Sequence, residues 1–280
     1  MPINEDDRRL FLKNTLGLDH GYRLGGKLHQ PSYYSWLEQL FHSLMQDDTT
    51  RRLFQQLADW DRYTYRHSFD VFLLGSLLAH QLAWSNIREV ACGLLLHDIG
   101  KTAIPRSVLT KQETPTLAEW KLLQTHARHG YDILTTQGYS DTIASMVYSH
   151  HERSDGSGYP YGMSASSLKD PIRLLAVVDV YSALSLDRPY LSAVPPHQAV
   201  SMIRDEVGPL DPQYVRAFCE LLGIFPAGAT VQLTNDASAI ILDMEEALPT
   251  LPLVRDNQTN ETFYLPIDQT IQIHQWIDPF

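Results

Sequence analysis

A chain of 280 residues, 44% hydrophobic and 20% charged, is long enough for one sizeable core plus an appendage and has the composition of an ordinary globular protein. Its 22 basic and 33 acidic side chains leave a formal charge of −11 with histidines neutral. That excludes the basic surface needed to wrap long nucleic acid, yet leaves room for a small phosphate ligand held by metal ions or a few local cations.

Residues 1–30 show weak periodicity and read as a loosely structured lead-in without the apolar stretch of a signal peptide. Trp36, Leu37, Leu40, Phe41 and Leu44 recur at helical spacing, and Leu53, Phe54, Leu57 and Trp60 resume it after a polar break at 46–50, which predicts two helices. Tyr63 to Ala83 reads as one long helix, and Ser85 to Leu96 as a second that runs directly into His97-Asp98. Thr116 with Glu119 is a capping box opening a helix to about Thr136, ahead of Gly138. Ser140 or Asp141 caps the next helix, which carries His150 and His151 near its end. Asp170-Pro171 reads as an N-cap followed by proline at the first helical position, starting a helix through Asp179 to about Leu184. Two more helices are expected near 196–206 and 212–222. Beyond Gly223, short runs at 231–233, 239–242, 253–255 and 262–265 flank polar turns and read as hairpin strands. The expected organisation is an N-terminal helical extension over 1–60, a helical body over 61–225 and a small β-rich appendage over 226–280. No run approaches the ~20 apolar residues of a bilayer span, so a cytoplasmic protein with no membrane or DNA partner is expected. Cys92 and Cys219 lie in apolar helical patterns with no CxxC spacing and read as buried free thiols.

Of the 12 histidines, His67, His97, His126, His150 and His151 fall in the helical half, with the carboxylates Asp98 and Asp179. The string Leu94-Leu95-Leu96-His97-Asp98-Ile99-Gly100-Lys101 ends an apolar helix in an ionisable pair, which is costly to bury unless paired or bound to metal. Taken alone, such a pair is more often a histidine held in one tautomer by its neighbour. His150-His151 is stronger evidence, because adjacent histidines at an unwinding helix end can reach one site. The loop after them, Glu152 to Pro160, has two glycines, Asp155 and Tyr159-Pro160, which suit a close approach to phosphate and an aromatic face for a base. Asp179 sits inside an apolar helix and needs a partner. Neutral imidazole and carboxylate suit a divalent ion such as Fe, Mn or Zn.

These strings resemble the HD-GYP family, a branch of the HD superfamily of metal-dependent phosphohydrolases. The resemblance runs from about Tyr63 to Leu222 and rests on HDIGK (97–101), THARHG (125–130), HHERSDGSGYP (150–160) and VVDVYSALSLDRPY (177–190), in order. It implies a mainly α fold, an HD-type helical bundle, and hydrolysis of cyclic di-GMP to linear pGpG, with GMP after a second cut. By the same resemblance His67, His97, Asp98 and Asp179 would hold one metal, His126, His150 and His151 the second, and Asp98 would bridge them. Two divalent ions, Fe or Mn, would then carry a bridging hydroxide to the phosphorus. Lys101 is the candidate electrostatic catalyst beside Asp98, and Lys101, Asp155, Gly158, Tyr159, Pro160 and Arg188 are candidate substrate contacts, a guanidinium fork suiting phosphate. Diguanylate cyclase-type proteins and a homodimer are the partners considered. His80, about 220° around the helix from His67, faces away, and His129 reads as a bystander.

The sequence departs from the family pattern at three places. Tyr63 stands where some members carry a glutamate for a third metal, Leu191 where many carry Lys or Arg, and Ser182 where Asp is frequent. Hydrolysis of another cyclic dinucleotide, or a binding or adaptor role with weak turnover, are the competing readings.

Overall fold

The computed structural model describes residues 3–16, 18, 23–25, 28, 30–187, 192–205, 209–244, 251–265 and 271–277. The described residues form helices α1 (Glu5–Thr15), α2 (Pro31–Met45), α3 (Asp48–Trp60), α4 (Arg62–Gln81), α5 (Ile87–Leu96), α6 (Arg106–Leu109), α7 (Leu117–Thr136), α8 (Asp141–Ser149), α9 (Asp170–Ser185), α10 (Pro196–Asp205) and α11 (Pro212–Leu222). Strands β1 (Thr230–Leu233), β2 (Ser238–Met244), β3 (Pro252–Asp256), β4 (Thr262–Tyr264) and β5 (Ile273–Trp276) follow. The fold is mainly α with a small C-terminal sheet, as expected. No helix among the described residues is long and apolar enough to cross a membrane.

The lead-in is more ordered than its periodicity suggests, because α1 is a regular helix. Asn4 accepts the Asp6 amide as N-cap, Glu5, Asp6 and Asp7 fill the positive first turn, and Lys13 sits in the last. Only Phe11 and Asp7 are buried, so the apolar signal is a single ring wedged against Tyr34, Phe41 and Phe69. Helices α2 and α3 form as expected, with Asp47 capping α3 through the Thr50 amide. The α9 start differs in one detail: Lys169 is the N-cap, and Asp170 and Pro171 are already inside the helix.

Helix α4 is the axis of the body. It is buried almost all round from His67 to Ala79, because α5, α9, α3 and α11 pack on its different faces. Helix α7 packs on α8 and on the 3-10 turn Ile99–Ala103 that follows α5. The strands form one antiparallel sheet in the order β4-β3-β2-β1-β5. Asp236, at φ 64°, turns the β1–β2 hairpin, a conformation aspartate tolerates better than most residues. Strand β5, which the alternation does not reveal, closes the edge beside β1 and brings Trp276 onto Phe225. Buried side chains from α1 through the sheet join one continuous core. Cys92 and Cys219 are free and buried.

Candidate metal centre

Five elements converge on one point. Helix α4 brings His67, the end of α5 brings His97 and Asp98, α7 brings His126, the end of α8 brings His150 and His151, and α9 brings Asp179. All seven side chains are buried except the part-buried His151. The convergence depends on two glycines. A Cβ on Gly100 would run into the His126 carbonyl and the Gly130 amide, and a Cβ on Gly130 would meet Val147 Cγ1 at 2.5 Å. The turn after His97-Asp98 therefore lies flat on α7 one turn past His126, and α7 in turn lies close on α8.

Backbone carbonyls fix the ring orientations. His97 Nδ1 lies 2.9 Å from Leu94 O, His126 Nδ1 2.6 Å from Leu123 O, and His150 Nδ1 2.7 Å from Val147 O. A carbonyl only accepts, so each Nδ1 carries a proton and each Nε2 points inward. Asp98 lies between them. Its Oδ2 is 3.4 Å from His97 Nε2 and 3.8 Å from His67 Nε2, while Oδ1 is 3.5 Å from His126 Nε2 and 3.9 Å from His150 Nε2. Asp179 Oδ1 lies 2.9 Å from His67 Nε2 and 3.5 Å from His97 Nε2, and its Oδ2 lies 3.9 Å from His151 Nδ1.

The electrostatics divide the cluster. Burial, reinforced by neighbouring imidazoles, pushes His126 down to about 4 and His150 to about 3, and holds His151 well below its usual value. Those three rings are neutral donors at neutral pH. Burial would also lower His97, but Asp98 and Asp179 outweigh it and push it up to about 10. Burial would raise both carboxyls; Lys101 and His97 hold Asp98, and His67 and His97 hold Asp179, well below the usual carboxylate range instead. Lys101 Nζ donates to Asp98 Oδ2 at 2.6 Å.

The donor set fits a divalent cation. His97 Nε2 and Asp98 Oδ1 are buried and have no hydrogen-bond partner among the described residues. The inward Nε2 atoms of His126 and His150 lie 3.3 Å apart with both ring protons already given to carbonyls, so two lone pairs oppose each other. A cation between such atoms converts repulsion into coordination. Three overlapping ligand groups are close enough to share an ion: His126, His150 and His151; His67, His97 and Asp179; and His97, Asp98 and His150.

The loop after His151 packs over this cluster. Tyr159 stacks on His151 with ring centroids 4.7 Å apart, and burial together with Asp179 and Asp98 raises its phenol. The Tyr159-Pro160 peptide is cis. Glu152 is buried and accepts the Tyr161 amide at 2.7 Å and the Met163 amide at 2.8 Å, tying the far side of the loop to the helix end. A Cβ on Gly158 would collide with the His151 carbonyl and the backbone of Glu152 and Arg153.

A sequence profile of the HD domain family matches residues 62–214, more than half of the chain. The chain belongs to the HD domain family. It is similar to a cyclic di-GMP phosphodiesterase of Pseudomonas aeruginosa, 37% identical over 191 residues, which are 67% of this chain and 46% of the relative. It is also similar to a 3′3′-cGAMP-specific phosphodiesterase of Vibrio cholerae, 34% identical over 167 residues, which are 59% of this chain and 36% of that one. The chain thus matches less than half the length of these curated relatives. Among solved structures, a protein from Bdellovibrio bacteriovorus titled HDG"Y"P has the same fold, with a TM-score of 0.50 and 16% identity, over 78% of this chain and 68% of that one. The HD domain family is metal-dependent, in keeping with the ligand groups described above.

Within this HD domain the seven expected ligands come together and Lys101 joins them, but the expected substrate contacts separate. Tyr159 lies on the cluster through His151. Gly158 packs against the backbone at 151–153. Pro160 and Asp155 are exposed, and Asp155 Oδ1 accepts the Ser157 amide at 2.9 Å, capping its own turn. Arg188 and Leu191 lie outside the described residues. His80 is exposed and packs on Trp36, as its helical angle predicts. Glu152 is marked in the sequence only by its place directly after the histidine pair. Arg23 and Asp70, paired by two bonds at 2.7 and 2.6 Å, have no local sequence signal that connects them.

Proposed function

We propose that this chain is a metal-dependent phosphodiesterase that hydrolyses cyclic di-GMP to linear pGpG, with GMP as product if the second ester is also cut. The observation that carries this reading is Asp98, whose two carboxylate oxygens turn to different histidine groups in a pocket where Oδ1 has no hydrogen-bond partner. In this reading His67, His97, Asp98 and Asp179 would hold one divalent ion, and His126, His150 and His151 would hold a second beside Asp98. Imidazole and carboxylate suit Fe or Mn. Such ions, when bound, lower the pKa of water and offset charge on phosphoryl oxygens.

The chain's own residues do the rest. The carbonyls on Nδ1 preset three imidazole rings with Nε2 inward, so no ring reorientation accompanies loading. Tyr159 covers His151 and limits solvent there. Lys101 sets a cation at the edge of the cluster where a phosphate oxygen would meet it. The reaction adds a water oxygen to phosphorus, breaks one P–O ester bond and returns a proton to the ribose oxygen that leaves. Residues 61–225 would carry this activity in the cytoplasm, flanked by the 1–60 extension and the 226–280 appendage. The Vibrio cholerae relative supports a second reading in which the preferred substrate is 3′3′-cGAMP.

The test is incubation of purified, anaerobically handled protein with each cyclic dinucleotide and Mn(II) or Fe(II), with chromatography of the products and Asp98→Ala alongside. Metal-dependent pGpG, lost in the variant, is expected. Faster cleavage of 3′3′-cGAMP moves the assignment to the second reading. Metal-loaded protein that binds but turns over neither nucleotide sinks the enzymatic reading in favour of a binding role.

A further inference from the structure

One buried network lies behind the metal centre and reaches outside the helices that form it. Arg23 belongs to the segment between α1 and α2, and its guanidinium grips Asp70 of α4 with two bonds, Nη1 to Oδ1 at 2.7 Å and Nη2 to Oδ2 at 2.6 Å. The arginine is 2% exposed and the aspartate fully buried. Asp70 Oδ2 also accepts the Ser182 hydroxyl at 2.6 Å, and Ser182 Oγ lies 2.9 Å from His67 Nδ1. His67 Nε2 faces the cluster at 2.9 Å from Asp179 Oδ1.

The direction of each bond follows from the one before it. Paired with a guanidinium that never deprotonates, Asp70 stays an acceptor. The only hydroxyl proton of Ser182 therefore goes to Asp70, and Ser182 Oγ has just lone pairs left for His67. His67 Nδ1 must donate, so Nε2 is the nitrogen left facing Asp179 Oδ1 and the cluster, where a bound cation would take the place of a proton shared with that carboxylate. His97, His126 and His150 turn Nδ1 to a helix carbonyl, whereas His67 turns Nδ1 to the Ser182 hydroxyl oxygen.

The guanidinium is itself fixed from several sides. Ser185 Oγ lies 2.9 Å from Arg23 Nη2, Leu18 O lies 3.2 Å from Nη1, and the Tyr181 hydroxyl donates to the Arg23 carbonyl at 2.6 Å. Two residues on, Gly25 (φ +69°) presses on Leu222 of α11 so closely that a Cβ would stand 2.7 Å from its Cα.

We propose that Arg23 is a positioning residue for the metal centre: through Asp70 and Ser182 it fixes His67 with the proton on Nδ1 and the ligating lone pair on Nε2. The N-terminal extension is then part of the site's machinery and not only a lid on its core. The proposal rests on the reading of His67 as a metal ligand. Asp70→Asn should invert the chain, since an amide can donate to Ser182 Oγ, turn the hydroxyl proton toward His67 and move the ring proton to Nε2.

The experiment is Co(II) affinity, measured by chelator competition on the full chain, for wild type, Asp70→Asn, Arg23→Met/Asp70→Asn and Ser182→Ala, with the visible Co(II) spectrum and thermal melting recorded for each. Ser182→Ala is the deciding variant because it leaves the Arg23–Asp70 pair whole while cutting the link to His67. Removing such an outer partner typically costs about 10–100-fold in metal affinity. A loss of about that size in Ser182→Ala and Asp70→Asn, with an altered Co(II) spectrum, is expected. Wild-type affinity and spectrum in Ser182→Ala, with only melting changed in the others, overturn the proposal while leaving the metal reading intact. A wild-type chain that takes up no Co(II) overturns the metal reading and the proposal together.

Discussion

Where α1, α2 and α3 meet, buried Asp7 takes His42 Nδ1 on Oδ2 at 2.6 Å and Arg51 Nη2 on Oδ1 at 2.7 Å. Where α4, α5, α7, α8 and α9 meet, buried Asp98 lies among four histidines at 3.4–3.9 Å, its Oδ1 and the neighbouring His97 Nε2 having no hydrogen-bond partner among the described residues. Both regions bury a His–Asp pair. In the first, each carboxylate oxygen has a donor and the cluster is closed, a strut between three helices. In the second, Lys101 donates to Asp98 Oδ2 alone, three ring protons go outward to carbonyls, and the lone pairs of His126 and His150 face one another. Burial of an ionisable pair therefore says little about function; the bookkeeping of protons and lone pairs separates a strut from a ligand set.

The difference should appear most sharply on substitution. Asp98→Ala should abolish metal uptake on both sides of the cluster and cut turnover by more than the ~100-fold typical of an outer partner. Asp7→Asn should leave turnover per folded chain unchanged and lower stability by ~1–3 kcal/mol, the cost of buried donors left without their acceptor. Turnover assays paired with denaturant titration read both. Activity loss in Asp7→Asn at full folding would break the comparison.

The open cluster needs close backbone approach, so Gly100→Ala should destabilise the fold by ~1–3 kcal/mol as the new methyl pushes on the His126 carbonyl, and metal affinity should fall with it. Calorimetry with and without metal checks this. Glu152→Gln tests the loop rather than the ligands. Replacing an oxygen that accepts the Tyr161 or Met163 amide with an NH2 group should cost ~1–3 kcal/mol and raise KM more than it lowers kcat.

How far the sequence reveals these things follows the range of the interactions. Helices α2 to α5 and α7 to α11 are legible because apolar period, capping box and proline are local signals, and the candidate ligands are legible because family motifs mark them. Helix α1 is hidden because it presents little more than Phe11 to the core. Strand β5 is hidden because its pairing with β1 depends on residues some 40 positions away. The chain from Arg23 to His67 crosses 47 positions to Asp70 and a further 112 to Ser182, and no spacing rule predicts it. Asp155 and Gly158 carried a functional expectation, and the structure shows turn chemistry and packing at both.

The smallest expected effect lies away from both clusters. Bonds from Lys111 and Thr116 lower part-buried Glu119 to about 2 in the fold. A depressed carboxyl contributes stability above its unfolded value and loses it as pH falls through the folded one, so the α7 cap weakens between roughly 4.5 and 2. Melting curves across that range should show a slope that Glu119→Gln removes.

The most direct test of the central claim is the metal content per chain after anaerobic loading with Fe(II) or Mn(II) and desalting, for wild type, Asp98→Ala and His42→Ala. Two ions per chain are expected in wild type and in His42→Ala, and none in Asp98→Ala. A wild-type chain that retains no ion, or an Asp98→Ala chain that keeps both, would contradict it.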